Sequence, residues 1–138
     1  MNKIFVLIAL VVSCFALPKD YWKSSYVVEL EKDQILEIEF VPKDGVKKKL
    51  TYRWTLYKNR GLVVILRYDG FVRQFVLNNE YQRDSFKEHL YPENKYYQRP
   101  FFLLKFVDFD RKTNKAKLQN FVHIGEMKMD IGYKKQED

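Results

Sequence analysis

The stretch from Leu50 to Leu77 constrains the fold more than any other part of the chain. It has the pattern of three antiparallel strands joined by two tight turns. The second turn contains Asp69-Gly70, and such a pair suits a type I′ hairpin because both central residues need a positive φ. Closing this hairpin pairs Tyr68 with Phe71. It also predicts three further pairs along the same strands: Leu66 with Arg73, Val64 with Phe75 and Leu62 with Leu77.

The first turn is best closed as a three-residue loop, Asn59-Arg60-Gly61, with Gly61 in the left-handed conformation of a bulge. This choice predicts three pairs: Leu56 with Val64, Trp54 with Leu66 and Tyr52 with Tyr68. A slip of one residue would move every side chain to the opposite face, so the register decides which residues form the core. The predicted core face carries Leu50, Tyr52, Trp54, Leu56, Leu62, Val64, Leu66, Tyr68, Phe71, Phe75 and Leu77.

The reverse face of these strands is also partly apolar. It carries Val63, Ile65, Val72 and Val76. A sheet that is apolar on both faces must be covered on both, or must present one face to a partner. We therefore predict that these four residues can form a partner-binding surface.

The first sixteen residues have the layout of a secretory signal peptide. A short basic start is followed by an apolar run from Ile4 to Val12, and small residues at Cys14 and Ala16 suit cleavage after Ala16. In one alternative, Val11-Val12-Ser13-Cys14 resembles a bacterial lipobox, and lipidation at Cys14 would anchor the protein to a membrane. An uncleaved anchor is a third reading, but the apolar run is shorter than the roughly 20 residues of a spanning helix. We expect an exported, periplasmic protein, with a lipid-anchored or a secreted form as alternatives.

Residues 17–138 have the length of one domain with a substantial core. The chain has a single cysteine, Cys14, so the domain must be stable without disulfides. A net charge of +7 favours anionic partners such as lipid headgroups, lipopolysaccharide or acidic glycans, while another envelope protein is the apolar alternative. No nucleic-acid motif is present, so a nucleic-acid partner is not expected. The lysines also have a plain explanation as solubilising groups on an aromatic-rich β domain.

The rest of the domain also has the patterns of strands and turns. Alternation of apolar and polar residues predicts strands over 26–31 and 34–41, with a turn at Pro42 to Gly45. Phe101 to Ile124 is predicted to form a second hairpin, closed by a three-residue loop, Lys112-Thr113-Asn114, with Asn114 left-handed. Four residues alternate through a last strand: Met127, Met129, Ile131 and Tyr133.

Residues 78–100 form a long connection, which in a compact domain is usually functional or packs over the core. A short helix from Asp84 or Ser85 to His89 would dock Phe86 and Leu90 at i and i+4. The alternative is a tyrosine-rich recognition loop, since tyrosine offers large amphipathic contacts at low entropy cost. Its candidate residues are Tyr91, Tyr96 and Tyr97.

No catalytic, cofactor or metal signature is present in the sequence. The two histidines lack the spacing of a zinc site, and no glycine-rich phosphate loop or nucleophile elbow occurs. Asp108 and Asp110 share one face of a strand, although turn chemistry explains such aspartates well. A small exported hydrolase that uses Asp108 and Asp110, or His89, in a cleft beside the crossover remains the alternative function.

The sequence thus predicts an all-β protein: a single antiparallel sandwich of seven or eight strands, immunoglobulin-like in architecture, with one short helix in the long crossover. A small β-barrel is the alternative fold. The function we expect is that of a non-enzymatic binding or structural module of a bacterial envelope.

Overall fold

The computed structural model describes residues 22–80, 82–92 and 99–137, so Cys14, Tyr96, Tyr97 and the predicted cleavage site lie outside the described residues. The described chain forms nine strands in two antiparallel sheets, and no helix. The strands are β1 Ser24–Glu31, β2 Leu36–Pro42, β3 Lys48–Lys58, β4 Gly61–Tyr68, β5 Phe71–Leu77, β6 Ser85–His89, β7 Phe101–Asp110, β8 Lys115–His123 and β9 Met129–Lys135. This confirms the predicted all-β sandwich, with one strand more than expected.

The first and last strands exchange sheets. Strands β2 to β5 form a meander, and β6 to β8 form another. β1 joins the later meander, which gives a four-stranded sheet of order β1-β8-β7-β6. β9 joins the earlier one next to β2, which gives a five-stranded sheet of order β5-β4-β3-β2-β9. Neither sheet is therefore built from one continuous part of the chain.

The predicted register is right for one hairpin and wrong for the other. Tyr68 pairs with Phe71 as predicted, and Asp69 and Gly70 have φ values of 51° and 82°, as a type I′ turn requires. The earlier turn holds only two residues, Asn59 and Arg60, and both have positive φ. The predicted loop was too long because Gly61 is a paired strand residue and not the left-handed one.

This shorter turn displaces the β3–β4 pairing by one residue next to the turn, and the displacement reaches two residues beyond Thr55. Trp54 pairs with Val64 instead of Leu66, and Tyr52 pairs with Leu66 instead of Tyr68. A shift of two residues preserves the face on which each side chain lies. Both aromatic residues are therefore buried, as predicted.

A bulge between Trp54 and Leu56 corrects the predicted core. Thr55 is the extra residue, so Leu56 turns to the outer face, where it lies opposite Val63 and is 49% exposed. Phe71, the other exception, is 66% exposed because it starts β5, which is an edge strand. Both were wrongly predicted to be buried.

The core lies between the two sheets and is crossed by hydrogen bonds from aromatic side chains. The indole nitrogen of Trp54 donates to the carbonyl of Leu30 at 2.8 Å, which joins β3 to β1. Tyr133 stacks on Tyr26 with ring centroids 4.5 Å apart, and its hydroxyl lies 2.8 Å from that of Ser24. These contacts attach both exchanged strands to the opposite sheet.

The predicted short helix is instead strand β6, which pairs with β7 from Ser85–Lys105 to His89–Phe101. Phe86 and Leu90 also share one face in an extended chain, so their spacing did not distinguish the two structures. A helix this short is marginal, whereas a strand can pair with the free edge of β7. Within the described ranges, no helix is long and apolar enough to cross a membrane.

The β7–β8 turn was predicted one residue too short. Asp110 pairs with Lys115, which leaves a four-residue loop. Asn114 has a φ of 56°, so its predicted left-handed conformation is confirmed.

Candidate functional site

The outer face of the five-stranded sheet carries a row of aliphatic side chains across three strands. Leu56 of β3 lies opposite Val63 of β4, which in turn lies opposite Val76 of β5. Directly opposed side chains on one face have Cβ atoms roughly 4.5–5.5 Å apart, so the row is continuous. Val76 is 55% exposed, and the row is open to solvent.

Two further aliphatic residues extend this row along the sheet. Ile65 is the next outward residue of β4, and Val72, which is 57% exposed, lies opposite Arg67. The structure therefore brings the four residues predicted from the sequence together on one surface. We call this surface the outer patch; its members are Leu56, Val63, Ile65, Val72 and Val76.

Leu56 is the member that sequence reasoning missed. It reaches the outer patch only because the bulge at Thr55 reverses its direction. The alternation along β3 assigns Leu56 to the core with Tyr52 and Trp54, and no residue in the strand marks the bulge. The signal lay in the neighbouring turn. If the pairing of Lys58 with Gly61 continued without interruption, Trp54 would lie opposite the outward Ile65, so Trp54 and Val64 can share the core face only because one strand carries an extra residue.

Two arginines lie beside the outer patch. Arg53 is opposite Ile65 and has its guanidinium 3.6 Å from the carboxylate of Asp33. Arg67 is exposed, and both arginines line a recess of about 280 Å³ next to Ile65. An aliphatic surface edged by guanidinium groups is suited to a partner surface that combines apolar side chains with carboxylates.

Carboxylates on the same sheet lie farther from the patch and are already paired. Glu37 of β2 lies 3.5 Å from the Nζ of Lys49, and Glu39 forms an ion pair with Lys47. The Lys47 partnership lowers the pKa of Glu39. The lysine run from Lys47 to Lys49 is thus partly neutralised by β2.

Tyr91 belongs to the core and not to an exposed loop. Its hydroxyl donates to the carbonyl of Val46 at 2.7 Å, and its backbone N–H donates to the hydroxyl of Tyr68 at 3.0 Å. The Nζ of Lys48 lies 4.8 Å from the centre of its ring. Of the three predicted loop tyrosines, the one that the structure describes therefore holds the connection against the five-stranded sheet.

The candidate hydrolase residues lie at opposite ends of β7. Asp108 and Asp110 pair with Lys117 and Lys115, whereas His89 pairs with Phe101. Seven residues of strand separate the two ends, or about 23 Å. The backbone N–H of Lys112 donates to Asp110 and lowers the pKa of its carboxyl, as expected for a turn aspartate.

His89 does line a cleft of about 480 Å³, which lies where the edge strands β5 and β6 face each other. Two side-chain contacts join these strands: Phe75 stacks on Phe86 at 3.9 Å, and the Nε of Arg73 lies 2.8 Å from the Oε2 of Glu88. Glu88 is buried, and the Arg73 contact compensates for its charge. Sequence reasoning missed both members of this pair because they become neighbours only through the sandwich.

Nothing in the described part of the chain forms a metal centre, since no cluster there has three or more His, Cys, Asp or Glu side chains placed to hold an ion. The two surfaces described above, the outer patch and the β5–β6 cleft, are the candidate sites. Comparisons with protein-family models, curated proteins and solved structures found no match to this chain.

Proposed function

We propose that this protein is an exported, non-enzymatic binding module of a bacterial envelope, and that its outer patch docks on another envelope protein. The observation that carries the proposal is the outer patch itself, five aliphatic side chains in adjacent rows on an open sheet face. Contiguous exposed apolar surface is uncommon on soluble monomers and usually marks an interaction site. Export and a periplasmic location rest on the signal-like residues 1–16, with lipidation at Cys14 or secretion as alternatives.

Physical considerations favour a protein partner over a lipid surface. The patch is a pleated sheet face made mainly of β-branched side chains, which suits close packing against another surface. Membrane interfaces favour Trp and Tyr, and the outer patch contains neither. The neighbouring arginines suit carboxylates on the rim of the partner, because a guanidinium binds a carboxylate through two parallel hydrogen bonds.

Photocrosslinking in the producing cells tests this proposal. A photoreactive amino acid would replace Leu56 in one variant and Val41 in a control. Val41 lies on the same sheet and is 42% exposed, but it belongs to β2, away from the outer patch. We expect a discrete protein adduct from position 56 and none from position 41, with a partner whose contact surface is apolar and acidic.

The charge variant Leu56→Glu provides a second test in the same photocrosslinking experiment. It should abolish the adduct formed by a probe at Val63, while Val41→Glu leaves that adduct unchanged. Adducts with lipid only, or equal adducts from both positions, would refute docking through the outer patch. Thermal unfolding of each variant shows whether the fold is retained.

The hydrolase alternative now depends on His89 alone. The cleft beside it has a volume within the range of small-molecule sites. Asp108 and Asp110 lie at the far end of β7, so they offer no partner to His89. We therefore favour the binding module.

A further inference from the structure

Strand β5 is an edge strand with little protection against pairing. It ends the five-stranded sheet, and three of its side chains, Phe71, Val72 and Val76, are more than half exposed. Proteins usually block such edges with charged side chains, especially lysine, or with proline, a bulge or a short strand. β5 contains neither lysine nor proline, and its pairing with β4 is regular throughout. Its one charged side chain, Arg73, is paired with Glu88 of β6.

The other described edges carry these protections. β6 has only five residues and includes Lys87. β9 contains Gly132 and ends in Lys134 and Lys135. β1 has two exposed glutamates near its end, Glu29 and Glu31. β5 is thus the edge that is best suited to accept another strand.

The backbone groups that β5 presents to the open side follow from its turn. In a two-residue hairpin the closing pair, here Tyr68 and Phe71, exchanges both backbone hydrogen bonds. Hydrogen-bonded and non-hydrogen-bonded pairs then alternate along the ladder. Val72, Gln74 and Val76 consequently direct their N–H and C=O groups away from β4, towards the open edge.

These three residues are self-complementary in an antiparallel arrangement. If a two-fold axis passes beside Gln74, Gln74 faces the partner subunit's Gln74, and Val72 faces the partner subunit's Val76. Each facing pair then exchanges both hydrogen bonds, so every open backbone group of this segment is satisfied. A shift of two residues in either direction would keep only part of this pairing.

The side chains also agree with this register. On the outer face, valine meets valine on either side of the glutamine pair, and such apolar cross-strand pairs are stabilising. On the inner face, Arg73 lies opposite the partner subunit's Phe75, and each keeps its contact within its own subunit, Arg73 with Glu88 and Phe75 with Phe86. Exposed Phe71 lies opposite the partner subunit's Leu77. No like charges lie directly opposite each other, and the two Arg73 side chains, which are diagonal neighbours, are each paired with Glu88.

From these observations we propose that the chain forms a two-fold dimer by antiparallel pairing of β5 with β5 of a second copy, centred on Gln74. The inference stands on the edge strand and does not depend on the partner proposed above. It has one consequence for that proposal, because the outer patches of both copies become one continuous surface. A partner with two docking sites would then bind with increased avidity.

Cysteine crosslinking tests the register with protein purified as cells produce it, in a Cys14→Ser background. Gln74→Cys should give a covalent dimer under mild oxidation, since Cα atoms of a hydrogen-bonded pair lie about 5.5 Å apart, within disulfide range. Val72→Cys alone should not, because its counterpart lies about 14 Å along the strand. Val72→Cys/Val76→Cys should crosslink again, since positions 72 and 76 face each other.

Light scattering after gel filtration measures the molecular mass of the protein in the absence of any covalent crosslink. The unmodified chain should have twice the monomer mass, and Gln74→Lys should give monomer because two ammonium groups then meet at the axis. Val27→Lys places the same charge on exposed β1 and should leave the dimer intact. A monomeric unmodified chain, or crosslinking of Val72→Cys as efficient as that of Gln74→Cys, overturns the proposal. Loss of the photocrosslink from Leu56 with the dimer intact would refute only the proposed function.

Discussion

The hydroxyl of Tyr52 donates a 2.6 Å hydrogen bond to the Oδ1 of Asn120 across the core. Tyr52 belongs to β3 of the five-stranded sheet and Asn120 to β8 of the other. The Nδ2 of Asn120 continues to the carbonyl of Tyr26 at 3.0 Å. Burial raises the pKa of Tyr52 well above its usual range, so the phenol remains a donor. A single buried amide thus links three strands of the sandwich.

Tyr52→Phe should destabilise the fold by about 1–3 kcal/mol, because it leaves the Asn120 oxygen buried without its donor. Replacing both groups, as Tyr52→Phe/Asn120→Leu, should cost less than the sum of the single changes. Tyr57→Phe is the matched control, because Tyr57 contributes its ring, stacked on Phe109. Chemical denaturation measures the free energies of unfolding of Tyr52→Phe, Asn120→Leu, the double variant and Tyr57→Phe. Equal losses for Tyr52→Phe and Tyr57→Phe would contradict a stabilising role for the Tyr52–Asn120 hydrogen bond.

Two leucines distinguish the bulged register from the one that alternation predicts. Leu56→Ala should change stability by about 0.5 kcal/mol or less, since Leu56 lies at the surface. Leu66→Ala should cost about 2–5 kcal/mol, since Leu66 is fully buried. Urea unfolding of both variants checks the difference. If both variants lost a similarly large free energy of unfolding, Leu56 would belong to the core and the bulge would be refuted.

The alkaline limb of the stability curve should depend on Tyr68. Burial is the main cause that raises the pKa of Tyr68 from its ordinary 10.0 to about 12. The unfolded chain therefore loses this proton first, so the stabilisation is complete below pH 10 and is lost as the pH rises towards 12. Tyr68→Phe should flatten the decline of the unfolding free energy between these values. An unchanged slope would argue against the shifted pKa.

The first turn can be improved. Arg60 has a φ of 64°, a conformation that costs a non-glycine residue roughly 1–2 kcal/mol. Arg60→Gly removes this cost but also removes the exposed ion pair with Glu80, so we expect a net gain of about 1 kcal/mol. Gly70→Ala is the converse control: it has a φ of 82° and open space around the added Cβ, so it should destabilise through the backbone alone. Thermal unfolding measures both shifts, and a lower melting temperature for Arg60→Gly would contradict the account.

Local patterns predicted the structure where a turn or an alternation determined it alone. Asp69-Gly70 determined the β4–β5 register, and Leu36, Ile38 and Phe40 alternate into the core as expected. Patterns failed where two solutions fitted equally well. The spacing of Phe86 and Leu90 suits both a helix and a strand, and the free edge of β7 decided between them.

In the candidate site, too, some residues could be predicted from local patterns and others could not. Val63, Ile65, Val72 and Val76 could be found because a meander fixes its own two faces. Their exposure could not be predicted, because it depends on which side the four-stranded sheet covers. The Arg73–Glu88 pair was beyond prediction for a related reason, since it joins edges of different sheets.

The exchange of β1 and β9 between sheets also determines when the fold can be completed. Leu36 pairs with Lys135 and Glu31 with Lys115, so both sheets depend on contacts between residues far apart in sequence. During synthesis the β2–β5 meander can form early, but one edge of β2 stays open until β9 has emerged. Such long-range pairing slows folding, and the nascent chain has an exposed edge for a chaperone to protect until β9 arrives.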